Sequence, residues 1–262
     1  MNALLFAALG TGFTFLMTTL GAATVFLFRR SKPNEKVHRC FLGFAAGVMI
    51  AASVWSLLIP AIEKAEEMGK IGWIPAAGGF VMGVVFLMAL DKLLPAFHPG
   101  TDRPDGVRKS LGHSAMLVFA ITLHNIPEGM AEGVAFALAA ENNSKVLLAA
   151  AIALAIGMGI QNFPEGAAIS LPLVQSGMSR KRAFAWGMLS GIVEPIFGIL
   201  TVFVAGAASQ LLPWLLAFAA GAMLYVVVEE LIPEAKISGS HIGTFGTMAG
   251  FLIMMVLDVA LG

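Results

Sequence analysis

The chain has little of what makes a water-soluble surface. Charged residues are 12% of its 262 positions, about half the share in an ordinary soluble domain. No hydrophilic stretch is long enough to fold a second core, so positions 1–262 read as one membrane-embedded domain. Cys40 is the only cysteine, which excludes an intramolecular disulfide and a thiolate metal cluster. The formal net charge is zero and gives no hint of a nucleic-acid partner. No His-Glu-x-x-His helix is present, so the pattern of a zinc hydrolase is missing.

What fills the chain is apolar: 58% hydrophobic residues and a mean hydropathy of +0.86. A hydrocarbon core about 30 Å thick takes roughly 20 apolar residues per helix. Such runs lie at about 3–28, 40–62, 72–96, 113–140, 145–175, 183–209, 212–234 and 242–261. They predict an all-α integral membrane protein with eight transmembrane helices. The first ten residues lack a basic n-region, so the first run reads as a span and not a cleaved signal.

Alternate loops divide the basic residues unequally. Arg29, Arg30, Lys32, Lys36, Arg39, Lys92, Arg103, Arg108, Lys109, Arg180, Lys181, Arg182 and Lys236 fall on one side, 13 of the 16 Lys and Arg residues. Only Lys64, Lys70 and Lys145 fall on the other. The positive-inside rule makes the crowded side cytoplasmic, with both termini outside a plasma (inner) membrane. Glycines four apart (Gly43/Gly47, Gly79/Gly83, Gly129/Gly133, Gly187/Gly191 and Gly246/Gly250) predict close helix crossings.

Against this background the ionisable residues stand out. Each costs at least roughly 2.5–3.5 kcal/mol at mid-membrane. The fourth span carries His124, Glu128 and Glu132, the fifth Glu165 and the sixth Glu194, with no Lys or Arg in the middle of any of them. Carboxylates without basic partners must be protonated, hydrated or neutralised by a bound cation. The fourth span reads His124-Asn125-Ile126-Pro127-Glu128-Gly129, and the fifth Gln161-Asn162-Phe163-Pro164-Glu165-Gly166. The i, i+4 spacing predicts His124 over Glu128, and Gln161 over Glu165. Pro127 and Pro164 withhold donors from the carbonyls of Leu123 and Ile160, which lipid tolerates only beside protein or a polar cavity. Imidazole nitrogen with carboxylate oxygens suits a borderline divalent ion such as zinc.

The two motifs enter from opposite membrane faces, because consecutive spans run antiparallel. A second echo links Phe44-Ala45-Ala46-Gly47-Val48-Met49 with Phe218-Ala219-Ala220-Gly221-Ala222-Met223, each followed by Leu-Ile-Pro at 58–60 and 231–233. This is the pattern of an inverted internal repeat, which in secondary transporters brings broken helices to a midplane site. Glu63 on the outer side, Glu132 within the fourth span and Glu229 and Glu230 toward the inner side are candidates for the transport pathway. Asp91 and Asp258 are read as partners of interfacial bases, without a functional role.

The doubled motif resembles the ZIP (Zrt/Irt-like protein) family of divalent metal transporters, and its Gln-Asn-Phe-Pro-Glu-Gly form looks most like the GufA-like branch. The resemblance implies a 3+2+3 helix arrangement, with the fourth and fifth spans as the metal core. It implies one ion held by His124, Glu128, Gln161 and Glu165 with Met49. A second would lie on Asn125, Glu128, Asn162, Glu165 and Glu194, with Glu128 and Glu165 bridging. Members with two metals often have Asp where Asn162 stands, so the second ion is expected to be the weaker. The loop before the fourth span has only His98 and His113 near it, in place of a His-rich sensing loop. A homodimer and movement of one helix bundle against another are further implications. The function expected is secondary transport of zinc, with cadmium, iron and manganese as further cargo, toward the cytoplasm. Two rivals are a proton-coupled carrier of another cation, which zinc would not compete with, and an intramembrane zinc metalloenzyme.

Overall fold

The computed structural model describes residues 1–27, 35–93, 113–175, 177–207, 209–236 and 240–261. All regular structure among these residues is helical. Helix α1 (Ala3–Ala23) runs on into a 3-10 turn, Thr24–Phe26. Helix α2 (Glu35–Ala52) passes through a π-helical segment, Ser53–Leu58, into α3 (Ile59–Glu67). Then come α4 (Trp73–Leu93), α5 (His113–Glu141), α6 (Lys145–Gln175), α7 (Arg180–Gly191) and α8 (Val193–Ala207). After a 3-10 turn, α9 (Leu212–Val226) passes through a second π segment, Val227–Leu231, into α10 (Ile232–Ala235). Helix α11 (Ile242–Leu261) is the last.

Helix-only construction is what a bilayer imposes, since a helix satisfies its own backbone donors and acceptors. By length and composition, six stretches of described chain can cross a membrane: Ala3–Phe26, Arg39–Glu67, Lys145–Val174, Arg180–Ala207, Leu212–Ala235 and Ile242–Ala260. The expected spans at 72–96 and 113–140 correspond to α4, whose apolar part is the shorter Trp73–Ala89, and to α5. The loop positions His98, Arg103, Arg108 and Lys109 lie outside the described residues.

Helix pairing is internally symmetric. α1 lies against α6 as α8 lies against α5, and α2 lies against α11 as α9 lies against α4. Glycine makes these contacts possible. A side chain on Gly43 or Gly47 would strike the α11 backbone at Gly243 and Thr247, and one on Gly246 or Gly250 would strike α2 at Cys40 and Phe44. Gly79, Gly83 and Gly221 hold the α4–α9 crossing in the same way, and Gly129 and Gly133 admit the α8 backbone at Glu194 and Gly198. Four of the five glycine pairs therefore sit at crossings. The fifth, Gly187/Gly191, faces the side chains of Ala22, Ser170 and Thr18.

Two local features depart from simple spans. Both Leu-Ile-Pro sequences end a π segment, and in each the isoleucine donates five residues back: Ile59 N–H to the Val54 carbonyl, and Ile232 N–H to that of Val227. Pro60 and Pro233 explain this, because each lacks an N–H and its ring pushes away the carbonyl four residues earlier. The expected single helix at 183–209 is instead broken at Ile192, whose N–H turns to the Leu189 carbonyl at 3.2 Å. Pro195 is the cause: it has no N–H for the Gly191 carbonyl. Glu194 follows directly, in the first turn of α8.

Candidate metal centre

Four carboxylates lie inside the bundle, on three helices. Glu128, Glu132 and Glu194 are completely buried, and Glu165 is 9% exposed. Glu128 is close enough to be repelled by Glu165, Glu194 and Glu132. Among the described residues, none of Glu128, Glu132 and Glu194 meets a basic side chain. The two Pro-centred motifs bring these groups together, since each proline sits inside a continuous helix, Pro127 in α5 and Pro164 in α6.

The amides settle how the oxygens face. Gln161 Nε2 donates to Glu128 Oε1 at 2.7 Å, and Asn162 Nδ2 donates to Glu194 Oε2 at 2.8 Å. Asn125 Nδ2 donates to the Ser190 carbonyl at 3.0 Å, tying α5 to α7 just before the helix break. An ionised carboxylate only accepts, so each amide must turn its NH₂ toward it and its carbonyl away. Asn125 Oδ1, Gln161 Oε1, Asn162 Oδ1 and Glu128 Oε2 are left buried with no hydrogen-bond donor. Each such acceptor costs about 1–3 kcal/mol. A cation satisfies oxygens of this kind as a donor would, and neutralises the carboxylates at the same time.

Gln161 reaches across to Glu128 on the neighbouring antiparallel helix, and Gln161 and Glu165 line one cleft. His124 lies on α5 one turn before Glu128, but its side chain lies outside the described residues. Met49 is 1% exposed and belongs to the apolar core. Glu63 is exposed on α3, while Glu229 is exposed and Glu230 half-buried in the second π segment. Asp258 takes a hydroxyl, not an interfacial base: Ser56 Oγ donates to its Oδ1 at 2.6 Å. Asp91 has a side chain outside the described residues. Among the described residues no three His, Cys, Asp or Glu side chains converge on one point. The polar groups gathered among the described residues are mixed carboxylate and amide.

Sequence reasoning passed over three hydroxyl residues of this site. Thr18 Oγ1 lies 3.5 Å from Glu194 Oε1, and Thr14 stands beside both Glu132 and Glu194. Ser190 supplies the carbonyl that holds Asn125. The signal was present as Thr11, Thr14 and Thr18 at helical spacing, all completely buried, but uncharged residues leave no mark on a hydropathy scan.

A narrow cleft with room for about one water meets the site, lined by Phe41, Leu42 and Ala45 of α2 and Gln161, Pro164, Glu165 and Ala168 of α6. It lies toward the ends of those helices that neighbour Lys36, Arg39 and Arg180–Arg182. Toward their other ends, Val134, Leu138, Leu154 and Met158 are buried in one apolar core with Leu212, Leu216 and Met223.

A buried cluster of carboxylates and amides on two proline-containing antiparallel helices has the chemistry of a membrane carrier of cations, and comparison with known proteins agrees. The family model described as ZIP Zinc transporter matches residues 104–258. The chain is 37% identical to the human zinc transporter ZIP11, over 98% of this chain and 97% of that protein. It is 38% identical to the zinc transporter GufA of Myxococcus xanthus, over 94% of each. It is also 35% identical to the zinc transporter ZIPB of Bordetella bronchiseptica, over 98% of this chain and 82% of that protein. The chain belongs to the ZIP family, in its GufA-like branch.

Proposed function

We propose that this protein is a secondary transporter that carries zinc across the membrane toward the cytoplasm, binding it between α5 and α6. The observation that carries the reading is the set of buried oxygens on Asn125, Glu128, Gln161 and Asn162 that have no donor, with Glu128 meeting no basic side chain among the described residues. Family membership supports zinc as cargo, and similarly sized ions such as cadmium, iron and manganese fit the same mixed donors. In this reading His124, Glu128, Gln161 and Glu165, with Met49 swinging in, hold one ion. Asn125, Asn162 and Glu194 extend the site to a second, weaker ion through Glu128 and Glu165. Few ligands, mostly carboxylate and amide, favour release over retention.

The fold in this reading has eight spans in a 3+2+3 arrangement related by an inverted repeat. Symmetric helix pairing and the twin π segments support it. The cleft beside Glu165, on the basic side, together with the apolar seal opposite, is the form open to the cytoplasm. Glu63 gathers ions outside, and Glu229 and Glu230 receive them inside. Both termini lie outside a plasma (inner) membrane, and the protein works as a homodimer, which mass photometry of purified protein tests. The carrier reading is tested by uptake of labelled zinc into proteoliposomes. Wild type takes up zinc, and Glu128→Ala or Glu165→Ala does not. Uptake that survives either substitution contradicts it.

A further inference from the structure

A lysine is rarely buried unless its ammonium is paired. Lys64, in the last turn of α3, is only 9% exposed. Its three N–H donors meet three oxygens: Asn142 Oδ1 at 2.9 Å, Glu141 Oε1 at 3.3 Å and Glu67 Oε2 at 3.4 Å. Glu67 belongs to α3 itself, whereas Glu141 ends α5 and Asn142 begins the turn into α6. Helix α3 otherwise packs chiefly against α4 and α9. Lys64 thus joins an element outside the metal centre to the α5–α6 hairpin that carries both Pro-Glu motifs.

The hairpin is braced at this turn, positions 142–144, where Asn143 takes the left-handed conformation at φ 46° that asparagine tolerates. Asn142 Nδ2 donates to the Leu138 carbonyl at 2.9 Å, and Ser144 Oγ accepts from the Leu147 N–H at 3.2 Å. Both helix ends are therefore fastened to the turn that Lys64 grips. Beyond it, Val134, Leu138, Leu154 and Met158 share a buried apolar core with Leu212, Leu216 and Met223 of α9. Apolar contact has no preferred direction and tolerates a shift of one surface over another; hydrogen bonds of fixed geometry do not. The cleft beside Gln161 and Glu165 lies toward the opposite end of α6. Alternating access rocks one bundle against another around the bound ion, so the shut end must part where the Lys64 tie stands.

We propose that Lys64, Glu141 and Asn142 form a latch that holds shut the end of the site remote from the cleft and releases each time the carrier opens there. Release exchanges Asn142 and Glu141 for water around an ammonium that keeps Glu67, so the latch opens and closes against a small free-energy difference. The latch rests on the carrier reading, since only a site served in turn from two sides needs one.

Both tests use the full chain carrying Cys40→Ser. First, Leu138→Cys places a thiol in the buried core one turn before Asn142. Maleimide labelling of the purified protein in zinc-free detergent then reports how often this end opens. Lys64→Met, which keeps the aliphatic stem and removes the ammonium, raises the labelling rate roughly three- to fivefold. Glu141→Gln raises it less, and the double variant labels no faster than Lys64→Met alone, as two ends of one tie require. Second, Lys64→Cys with Asn142→Cys is bridged by a short bifunctional methanethiosulfonate in proteoliposomes. Bridging stops uptake of labelled zinc and a reductant restores it, which a tie serving only the fold would not do. An unchanged labelling rate in Lys64→Met overturns the latch, and so does bridged protein that carries zinc as fast as the reduced form. If Leu138→Cys does not fold, the bridge decides. If the unbridged protein takes up no zinc, zinc as cargo fails, and the labelling rate, which needs no cargo, still decides the latch.

Discussion

The bundle contains two groups of helices packed by the same means and filled with different chemistry. In α2, α4, α9 and α11, glycine crossings bring backbones together over an interior of alanine, leucine and methionine. In α1, α5, α6 and α8, the same kind of crossing encloses four glutamates, three amides and a stripe of threonines. Close packing and polarity are therefore independent in this fold. The first group is a wall, and the second carries the machinery.

If that division is right, substitutions should separate folding from function according to group. The largest effect is expected from leucine at a glycine crossing in either group. Gly47→Leu would drive a side chain into the α11 backbone, and Gly166→Leu into the α1 backbone at Thr18. Each should cost about 3 kcal/mol or more, read as loss of monodisperse protein in size-exclusion chromatography. Polarity should make no difference there; a tolerated leucine in either group would break the comparison.

Next in size is Glu128→Gln. Folding should be retained, while zinc uptake falls roughly 100-fold or more, beyond the usual cost of losing an outer-shell partner. Apart from Met49, no residue in the wall should behave this way. Asn162→Asp sharpens the point from the other direction. It places a second acid beside Glu194, so metal-free protein should melt lower, while zinc recovers the loss and binds roughly tenfold tighter by calorimetry.

Within the wall, one polar exception is Ser56 with Asp258, whose Oδ2 is also buried without a partner. Ser56→Ala should cost about 1–3 kcal/mol in thermal stability and leave zinc affinity unchanged. The smallest effect belongs to Lys64, which ties α3 to the α5–α6 turn through Glu141 at 3.3 Å and Asn142 at 2.9 Å. Lys64→Met should change stability by about 1 kcal/mol or less, because its partners lie near the surface.

Much of this was legible in the chain itself. Long apolar runs gave the helices, and four of the five glycine pairs marked three crossings. The doubled Pro-Glu motif picked out Glu128, Gln161, Asn162 and Glu165 as one neighbourhood. Three things were not legible, for separable reasons. Spacing along one helix placed Gln161 by Glu165, but the bond from Gln161 to Glu128 runs to the antiparallel partner, which one-helix geometry does not contain. The break at Ile192 hid in an unbroken apolar run, since hydropathy does not register the donor that Pro195 lacks. The π segments were visible only as a repeated Leu-Ile-Pro, whose effect on hydrogen bonding needs three dimensions.

The central claim is that the buried, donorless oxygens of Asn125, Glu128, Gln161 and Asn162 on α5 and α6 exist to hold a doubly charged metal. An anomalous difference map at the zinc absorption edge, from crystals of the wild-type protein grown with zinc, tests it most directly. The account predicts a peak within coordination distance of Glu128, Gln161 and Glu165, with Glu128 Oε2 and Gln161 Oε1 turned to face it. A map empty there, with Gln161 still bonded to Glu128 and zinc bound only at the surface, would contradict it.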